Sequence, residues 1–136
     1  MFTKLLYEIL SFRTKSVKIR NTKVELFIAD SLPKQILGLM HRPQINSNQG
    51  MLFIFRTDSR HSIWMYHMLF SIDCIWINEA GRVVDIVAGM KPCNSMMDCP
   101  TYYPRDQARY VLELKAGSAK RLGIKIGSSL SSIIGW

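Results

Sequence analysis

The segment Ser62–Asn78, with the sequence SIWMYHMLFSIDCIWIN, constrains the fold of this chain more than any other. Its second half, residues 72–78, has the two-residue period of a β-strand, and apolar side chains fall on both faces of that strand. A strand of this kind is typical of the centre of a sheet that is covered on each side. Its single charge, Asp73, must have partners or face a pocket, because an unpaired buried carboxylate costs several kcal/mol.

The rest of the chain has short apolar runs separated by turn signals, which is typical of a mainly β protein. A hairpin is expected over 16–29, with its turn at Asn21 and Thr22. One short helix should run from Pro33 to just before Pro43, and a second should begin near Ser118. The other expected strands are 50–55, 61–66, 72–78, 82–88 and 108–115, with a last strand-like piece at 123–127. We predict an antiparallel β-sandwich or jelly-roll-like barrel with one or two short helices.

Length and composition fit a single globular domain. The chain has 136 residues, of which 48% are hydrophobic, and no apolar run approaches the roughly 18 residues that cross a bilayer. We divide it into a basic amphipathic N-terminal segment (1–15), a β domain (16–127) and a C-terminal tail (128–136). Because no small-residue cleavage site follows the first apolar stretch, the chain is expected to be cytoplasmic.

Basic residues are concentrated near the N-terminus. Residues 1–23 contain six of the 18 lysines and arginines but only one of the ten acids. With apolar residues among them, the first dozen residues are expected to form a short amphipathic helix that packs on the domain, and weak contact of residues 1–15 with a membrane surface is the alternative. Nucleic acid is not expected as a partner, because only this segment supports it and the aromatic pattern of RNA-binding strands is missing.

Two interpretations are open for Asp73. In the first, its carboxylate accepts hydrogen bonds from backbone N–H groups of the preceding bend or from an arginine. The candidate arginines are Arg42, Arg60 and Arg109. In the second, Asp73 lines a pocket as an acid, a base or a ligand-binding group.

The second interpretation places a pocket beside the apolar segment. Trp64 and Met65 would supply its floor, because aromatic and thioether groups make adaptable binding surfaces. Residues 89–107 contain three prolines and have no period. A structureless stretch of this length in a compact domain is often a binding loop or a lid, so it is expected to cover the pocket.

The three cysteines are Cys74, Cys93 and Cys99. An odd count fits a reducing compartment, and Cys93 and Cys99 are either reduced thiols or a disulfide. Their spacing does not fit a zinc pair, although Met96 and Met97 beside them would suit Cu(I). We therefore predict no metal site, and the sequence identifies no cofactor.

Support for catalysis is slight. The chain has no G-x-S-x-G, no P-loop and no dinucleotide-binding glycine pattern. A hydrolase- or lyase-type enzyme would have to use Asp73 with His67 as an acid–base pair across the bend that is expected between them.

Four motifs occur along the chain in a recognisable order: GLMHR (38–42), GMLFIF (50–55), WMYHMLFSIDCIWIN with GRVV (64–84), and ARYVLELKAG with GIKIG (108–127). Together they resemble the family catalogued as domain of unknown function 192 (DUF 192). The resemblance covers about residues 16–127. It implies one small, mostly β domain with a jelly-roll-like sandwich and short helices, and it implies no established activity. Recurring positions of that family fall on Gly38, Leu39, Met40, Arg42, Gly50, Met51, Trp64, Met65, Asp73, Tyr110, Glu113 and Gly117.

One departure from the family pattern follows Trp64 and Met65. Many relatives have a lysine-asparagine pair there, whereas this chain has Tyr66 and His67. Any role that needs an amide or an amine at this bend is therefore not carried over.

The resulting hypothesis is a small β-sandwich binding module with a pocket around Asp73, Trp64 and Met65. Arg42 and Arg109 are further ligand-binding candidates. The ligand is an unspecified small molecule, glycan or peptide. The alternatives are the enzyme described above and a structural or interaction protein without pocket chemistry.

Overall fold

The chain forms six β-strands and two short α-helices in the computed structural model, which describes residues 11–134. The prediction of a mainly β chain with short helices is confirmed. Residues 1–10 of the predicted N-terminal segment lie outside the described residues. The strands are β1 (Thr14–Ile19), β2 (Thr22–Ala29), β3 (Gln49–Ser59), β4 (Ile72–Ile77), β5 (Val83–Met90) and β6 (Ala108–Lys115). The helices are α1 (Leu32–Leu37) and α2 (Ser118–Arg121), and a 3₁₀ turn spans Ser131–Ile133.

The six strands form one mixed sheet in the order β1-β2-β3-β6-β4-β5. Neighbouring strands are antiparallel except for β2 and β3, which run parallel. The predicted antiparallel pairing is therefore wrong at this one pair, because α1 and the turns after it carry the chain across to the end of the sheet where β2 began. β1 and β5 are the two edges, so the sheet is not closed into a barrel.

The hairpin between β1 and β2 has a two-residue turn. Ile19 pairs with Thr22, and the two residues between them, Arg20 and Asn21, have φ angles of 48° and 69°. Two positive φ angles are the mark of the tight turn whose twist matches that of antiparallel strands. The hairpin is as predicted, with its turn one residue earlier.

Two predicted strands are absent from the described residues. Residues 61–66 are extended but are held only at isolated bridges, Ile63 with Tyr102 and Tyr66 with Cys93. Residues 123–127 form turns. Apolar runs of four to six residues predict burial more reliably than they predict a strand, because a strand also needs a neighbouring partner along its length.

Helix α1 is shorter than predicted. It ends at Leu37, because Gly38 adopts a φ of 49° and the chain then continues in turns towards Pro43. A Cβ at Gly38 would lie 3.3 Å from the ring of Phe53, so this glycine also allows close approach to β3. No helix formed by residues 11–134 is long and apolar enough to cross a membrane.

Strand β4 is the buried centre that its sequence predicted. All six of its residues are buried, and it lies between β6 and β5. One face of the sheet carries a helix-side cluster, which α2 and the C-terminal turns cover, and the other carries a cleft-side cluster, which the turns after α1 and residues 63–68 cover. The helix-side cluster includes Leu26, Leu52, Ile75, Ile77, Leu112, Leu114, Ala119 and Leu122. The cleft-side cluster includes Leu39, Met51, Phe53, Met65, Met68, Cys74, Trp76 and Val111.

Candidate functional site

Asp73 is buried, with 1% of its surface exposed, and its carboxylate is held by backbone amides. Oδ1 accepts a hydrogen bond from the N–H of Gly89 at 2.9 Å. Oδ2 accepts hydrogen bonds from the N–H groups of Gly117 at 3.0 Å and Ala119 at 2.9 Å. Hydrogen bonds to a charged acceptor are the stronger kind. Asp73 therefore ties β4 to the end of β5 and to the start of α2.

The three arginines considered as partners of Asp73 make other contacts. The Nε of Arg109 lies 2.8 Å from Oδ1 of Asp58. The Nε of Arg60 donates to the carbonyl of Pro104 at 2.8 Å. The guanidinium of Arg42 lies 4.4 Å from the centroid of the Phe27 ring.

Asp73 and the predicted pocket floor lie on opposite faces of the sheet. In the pairing of β4 with β6, Asp73 is opposite Leu114 and Cys74 is opposite Glu113. Directly paired residues share a face, so Asp73 belongs to the helix-side face and Glu113 to the cleft-side face. Met65 packs in the cleft-side cluster. The structure thus brings Met65 to the same side as Glu113 and away from Asp73.

A cleft of about 260 Å³ opens on this second face. It lies between the C-terminal half of α1 with the turn that follows it and the extended segment 62–64. Trp64, with 36% of its surface exposed, lines the cleft. The described residues that line it are Gln35, Ile36, Leu37, Gly38, Leu39, Met40, Phe53, Ser62, Ile63, Trp64, Met68 and Glu113.

Among the lining residues that belong to 11–134, Glu113 is the only one with an ionisable side chain. It lies on β6 between Met51 of β3 and Cys74 of β4, and 4% of its surface is exposed. Burial raises the pKa of Glu113 to about 8, because the charged form loses its hydration. Within residues 11–134, no group donates a hydrogen bond to its carboxyl. At neutral pH the cleft therefore has a mostly protonated carboxylic acid in its wall.

Two backbone contacts hold Trp64 at the edge of the cleft. On one side, Ile63 and Tyr102 exchange N–H···O hydrogen bonds of 2.9 and 2.8 Å. On the other, the N–H of Cys93 donates to the carbonyl of Met65 at 3.3 Å. Both contacts come from the predicted lid, residues 89–107, and no residue of that segment is among the described residues that line the cleft. This segment positions Trp64 and does not form the predicted lid.

A disulfide joins Cys93 and Cys99, whose Cα atoms are 5.5 Å apart, and Cys74 is a buried free thiol. The bond closes a short loop next to the contact between Cys93 and Met65. Of the two states that the sequence left open, the structure has the disulfide. Within the described part of the chain, no three histidine, cysteine or acidic side chains are grouped as metal ligands.

Removing this disulfide by the double change Cys93→Ser and Cys99→Ser is expected to lower the free energy of unfolding by about 2 kcal/mol. The reason is that a crosslink across a short loop restricts the unfolded chain. Urea denaturation of oxidised wild type and variant measures the difference. Wild type treated with a dithiol reductant is the matched control and should behave like the variant; equal stability of the oxidised wild type and the variant would contradict the expectation.

His67 has aromatic neighbours. Its ring lies 3.8 Å from the Tyr66 ring and 4.6 Å from the His41 ring, measured between centroids. Its φ of 60° places it at the bend that the sequence indicated. The carboxylate of Asp73, the proposed catalytic partner, is occupied by the three backbone amides described above.

Sequence reasoning missed Glu113 as a site residue. The alternation of ARYVLELK places Ala108, Tyr110, Leu112 and Leu114 on one apolar face, and it predicts no cover for the opposite face, which carries Glu113. Val111, on the same face, was the available signal that this side is also covered. Glu113 is also one of the positions that recur in the family resemblance.

The comparisons with known sequences agree with one another. The family model described as DUF192, uncharacterized ACR, matches residues 14–132. A UPF0127 protein of Pyrococcus abyssi is 34% identical over 122 residues, which are 88% of this chain and 93% of that protein. A UPF0127 protein of Thermococcus gammatolerans is 32% identical over 106 residues, which are 76% of this chain. The chain matches 63% of the length of the Thermococcus relative.

Two solved structures have a similar fold. One is a proposed transcription regulator of Sinorhizobium meliloti 1021, with a TM-score of 0.75 and 27% identity over 88% of this chain and 93% of that one. The other is a protein of unknown function from Novosphingobium aromaticivorans, with a TM-score of 0.72 and 24% identity over 85% of this chain and 81% of that one. The second likeness shows the fold alone.

Proposed function

The chain belongs to the DUF192 family of uncharacterised proteins, and on that premise we propose that it is a small ligand-binding module whose site is the cleft between Trp64 and Glu113. The binding role is the one expected from the sequence. The position of the site changes, because Glu113 takes the place in the pocket that was expected for Asp73. Trp64 remains part of the proposed site because it lines the cleft. Met65 contributes through its packing in the buried cleft-side cluster.

The observation that supports this proposal most is the state of Glu113. A carboxyl group that is almost fully buried and accepts no hydrogen bond from residues 11–134 lowers the stability of the fold. Residues of this kind are frequent at functional sites, where a ligand supplies the missing interaction. Its place in the wall of an apolar cleft gives such a ligand access.

The exposed apolar side chains next to the cleft support the same proposal. Ile36 lines the cleft and has 63% of its surface exposed, and Leu32, one turn earlier on α1, has 68%. Together with Trp64 they form an apolar border on one side of the protein. Apolar groups that border a concave site are typical of ligand-binding surfaces.

A neutral probe tests the cleft as a binding site. We expect 1-hexanol to shift the methyl NMR signals of Met40 and Met68, which line the cleft, in a saturable manner. The signal of Met97, which is exposed and outside the lining, is the internal reference and should not move.

A matched pair of variants locates the binding. Ile36→Arg puts a charge at the edge of the cleft and is expected to weaken 1-hexanol binding about tenfold, because a guanidinium there resists loss of its hydration. Ile126→Arg adds the same charge at another exposed apolar side chain, which lies outside the lining, and should change the affinity less than about twofold. Shifts that spread over all methionines, or equal effects of the two variants, would reject the cleft as the site.

Three finer expectations from the sequence remain proposals. They are the jelly-roll-like sandwich, the cytoplasmic location, and the division of the chain into residues 1–15, 16–127 and 128–136. The ligand class is open between a small molecule, a glycan and a peptide, and the size of the cleft favours a small molecule.

A further inference from the structure

The lining of the cleft has an uneven balance of charge. The chain as a whole has a net charge of +8. None of the lysines, arginines and histidines of residues 11–134 lines the cleft, and Glu113 is the one group there that can carry a charge. Among residues 11–134, a ligand anion would therefore meet no positive side chain in the lining, whereas a ligand cation would meet a carboxyl group.

The other residues that line the cleft are suited to a ligand that has a cationic group and an apolar chain. Trp64 and Phe53 are aromatic, and the face of an aromatic ring attracts a cation within about 6 Å of its centroid. Met40 and Met68 add polarisable thioethers that adapt to the shape of an alkyl chain. A carboxyl group beside aromatic rings is the chemistry that recognises an ammonium group.

We infer that the cleft binds a small alkyl amine in its ammonium form, with the ammonium group directed at the carboxylate of Glu113 and the alkyl chain against Trp64 and Met68. This inference rests on the proposed function, since it names the ligand class of the same cleft. A small molecule is favoured because about 260 Å³ lies just below the range of roughly 300 to 1,000 Å³ that is typical of sites for drug-sized ligands.

Binding of an ammonium ion requires Glu113 to lose its proton. With a pKa of about 8, roughly one tenth of the free protein carries the charged form at pH 7. The ammonium group then pairs with the carboxylate, and the carboxyl proton leaves to solvent. No bond other than this O–H bond is broken, so one proton is released for each amine bound to a molecule in which Glu113 was protonated.

None of the groups that face Glu113 is expected to supply or take up the proton that is released when the amine binds. From β4 it is faced by Cys74, whose thiol pKa is raised well above its usual range by burial and by the nearby acids Glu113, Asp85 and Asp73. From β3 it is faced by Met51, which does not titrate. Asp85, on β5, is paired with Arg105 at 3.5 Å. The turn after α1 and segment 62–64 contribute no ionisable side chain to the lining.

Three probes with the same alkyl chain test the inference: n-hexylamine, 1-hexanol and hexanoate. Each is titrated into wild-type protein at pH 6, 7, 8 and 9, with the methyl signals of Met40 and Met68 as the readout and Met97 as the reference. The affinity for n-hexylamine, which stays protonated over this range, should rise about tenfold from pH 7 to pH 9. Calorimetry at pH 7 in buffers of different ionisation enthalpy should show release of close to one proton per amine bound.

The variant Glu113→Gln isolates the carboxyl group. It should bind n-hexylamine at least about tenfold more weakly than wild type at pH 9, without pH dependence, and bind 1-hexanol within about twofold of wild type. An amine affinity that stays flat or falls from pH 7 to pH 9, or tighter binding of hexanoate, would overturn the ammonium inference. If 1-hexanol binds under those conditions, the proposed function survives; if none of the three probes binds, both fail.

Discussion

Replacing Glu113 with glutamine is expected to stabilise the protein by about 4 kcal/mol more at pH 8 than at pH 4, because each pKa unit of difference between the folded and unfolded states corresponds to about 1.4 kcal/mol. Burial raises the pKa of Glu113 from 4.5 to about 8 in the folded protein. Between these two values the folded state holds a proton that the unfolded state has lost. The folded state is therefore most stable, as far as Glu113 is concerned, below pH 4.5, where Glu113 is protonated in both states. This stability is lost progressively as the pH rises to about 8.

The measurement compares urea denaturation of wild type and Glu113→Gln at half-unit steps from pH 4 to pH 9. The difference between the two proteins isolates Glu113 from the other groups that titrate in this range. Glu79→Gln is the matched control, since it removes an acid that is exposed at the turn between β4 and β5, and it should not reproduce the change of about 4 kcal/mol. Parallel curves for wild type and Glu113→Gln would show that Glu113 is not buried in the acid form.

Asp73→Asn is expected to lower the free energy of unfolding by about 3 kcal/mol, because three buried or partly buried backbone hydrogen bonds lose their charged acceptor. Asparagine has one acceptor oxygen, and its amide N–H₂ would face at least one of the N–H groups of Gly89, Gly117 and Ala119. The loss should appear in urea denaturation and in the melting temperature. Asp58→Asn is the control, since Asp58 forms an exposed pair with Arg109, and it should cost less than about 1 kcal/mol.

The same variant separates a structural role of Asp73 from a role in binding. At a temperature where Asp73→Asn is still folded, its affinity for 1-hexanol should equal that of wild type, because Asp73 lies on the other face of the sheet from the cleft. A folded variant with weaker binding would assign Asp73 to the site. A variant that keeps its full stability would contradict the role of the three hydrogen bonds.

The sequence predicted the structure best where the signal comes from neighbouring residues, such as the alternation of side chains in a strand or the residue type at a turn. The run at 72–78 predicted a buried central strand, and β4 occupies that place with all its residues buried. Asn21 predicted a tight turn in the first hairpin, and the turn is there because asparagine tolerates a positive φ. Both features depend on neighbours in the sequence, which are visible without the fold.

The sequence was least informative about the candidate site. It placed Asp73 with Trp64 because the two are close along the chain, whereas the sheet puts them on opposite faces. It left Glu113 out because the alternation in β6 predicts no cover for the face that carries Glu113. That face is covered by the turns after α1 and by residues 63–68, which come from other parts of the chain.

The pattern of the sequence by itself determined that this is a mainly β protein with a central strand apolar on both faces and an acid that needs partners there. Only the tertiary structure decided that backbone amides supply those partners and that a second acid, Glu113, faces the cleft. The physical reason is that the two-residue period of a strand assigns side chains to two faces. What covers each face depends on long-range packing, which local periodicity does not contain.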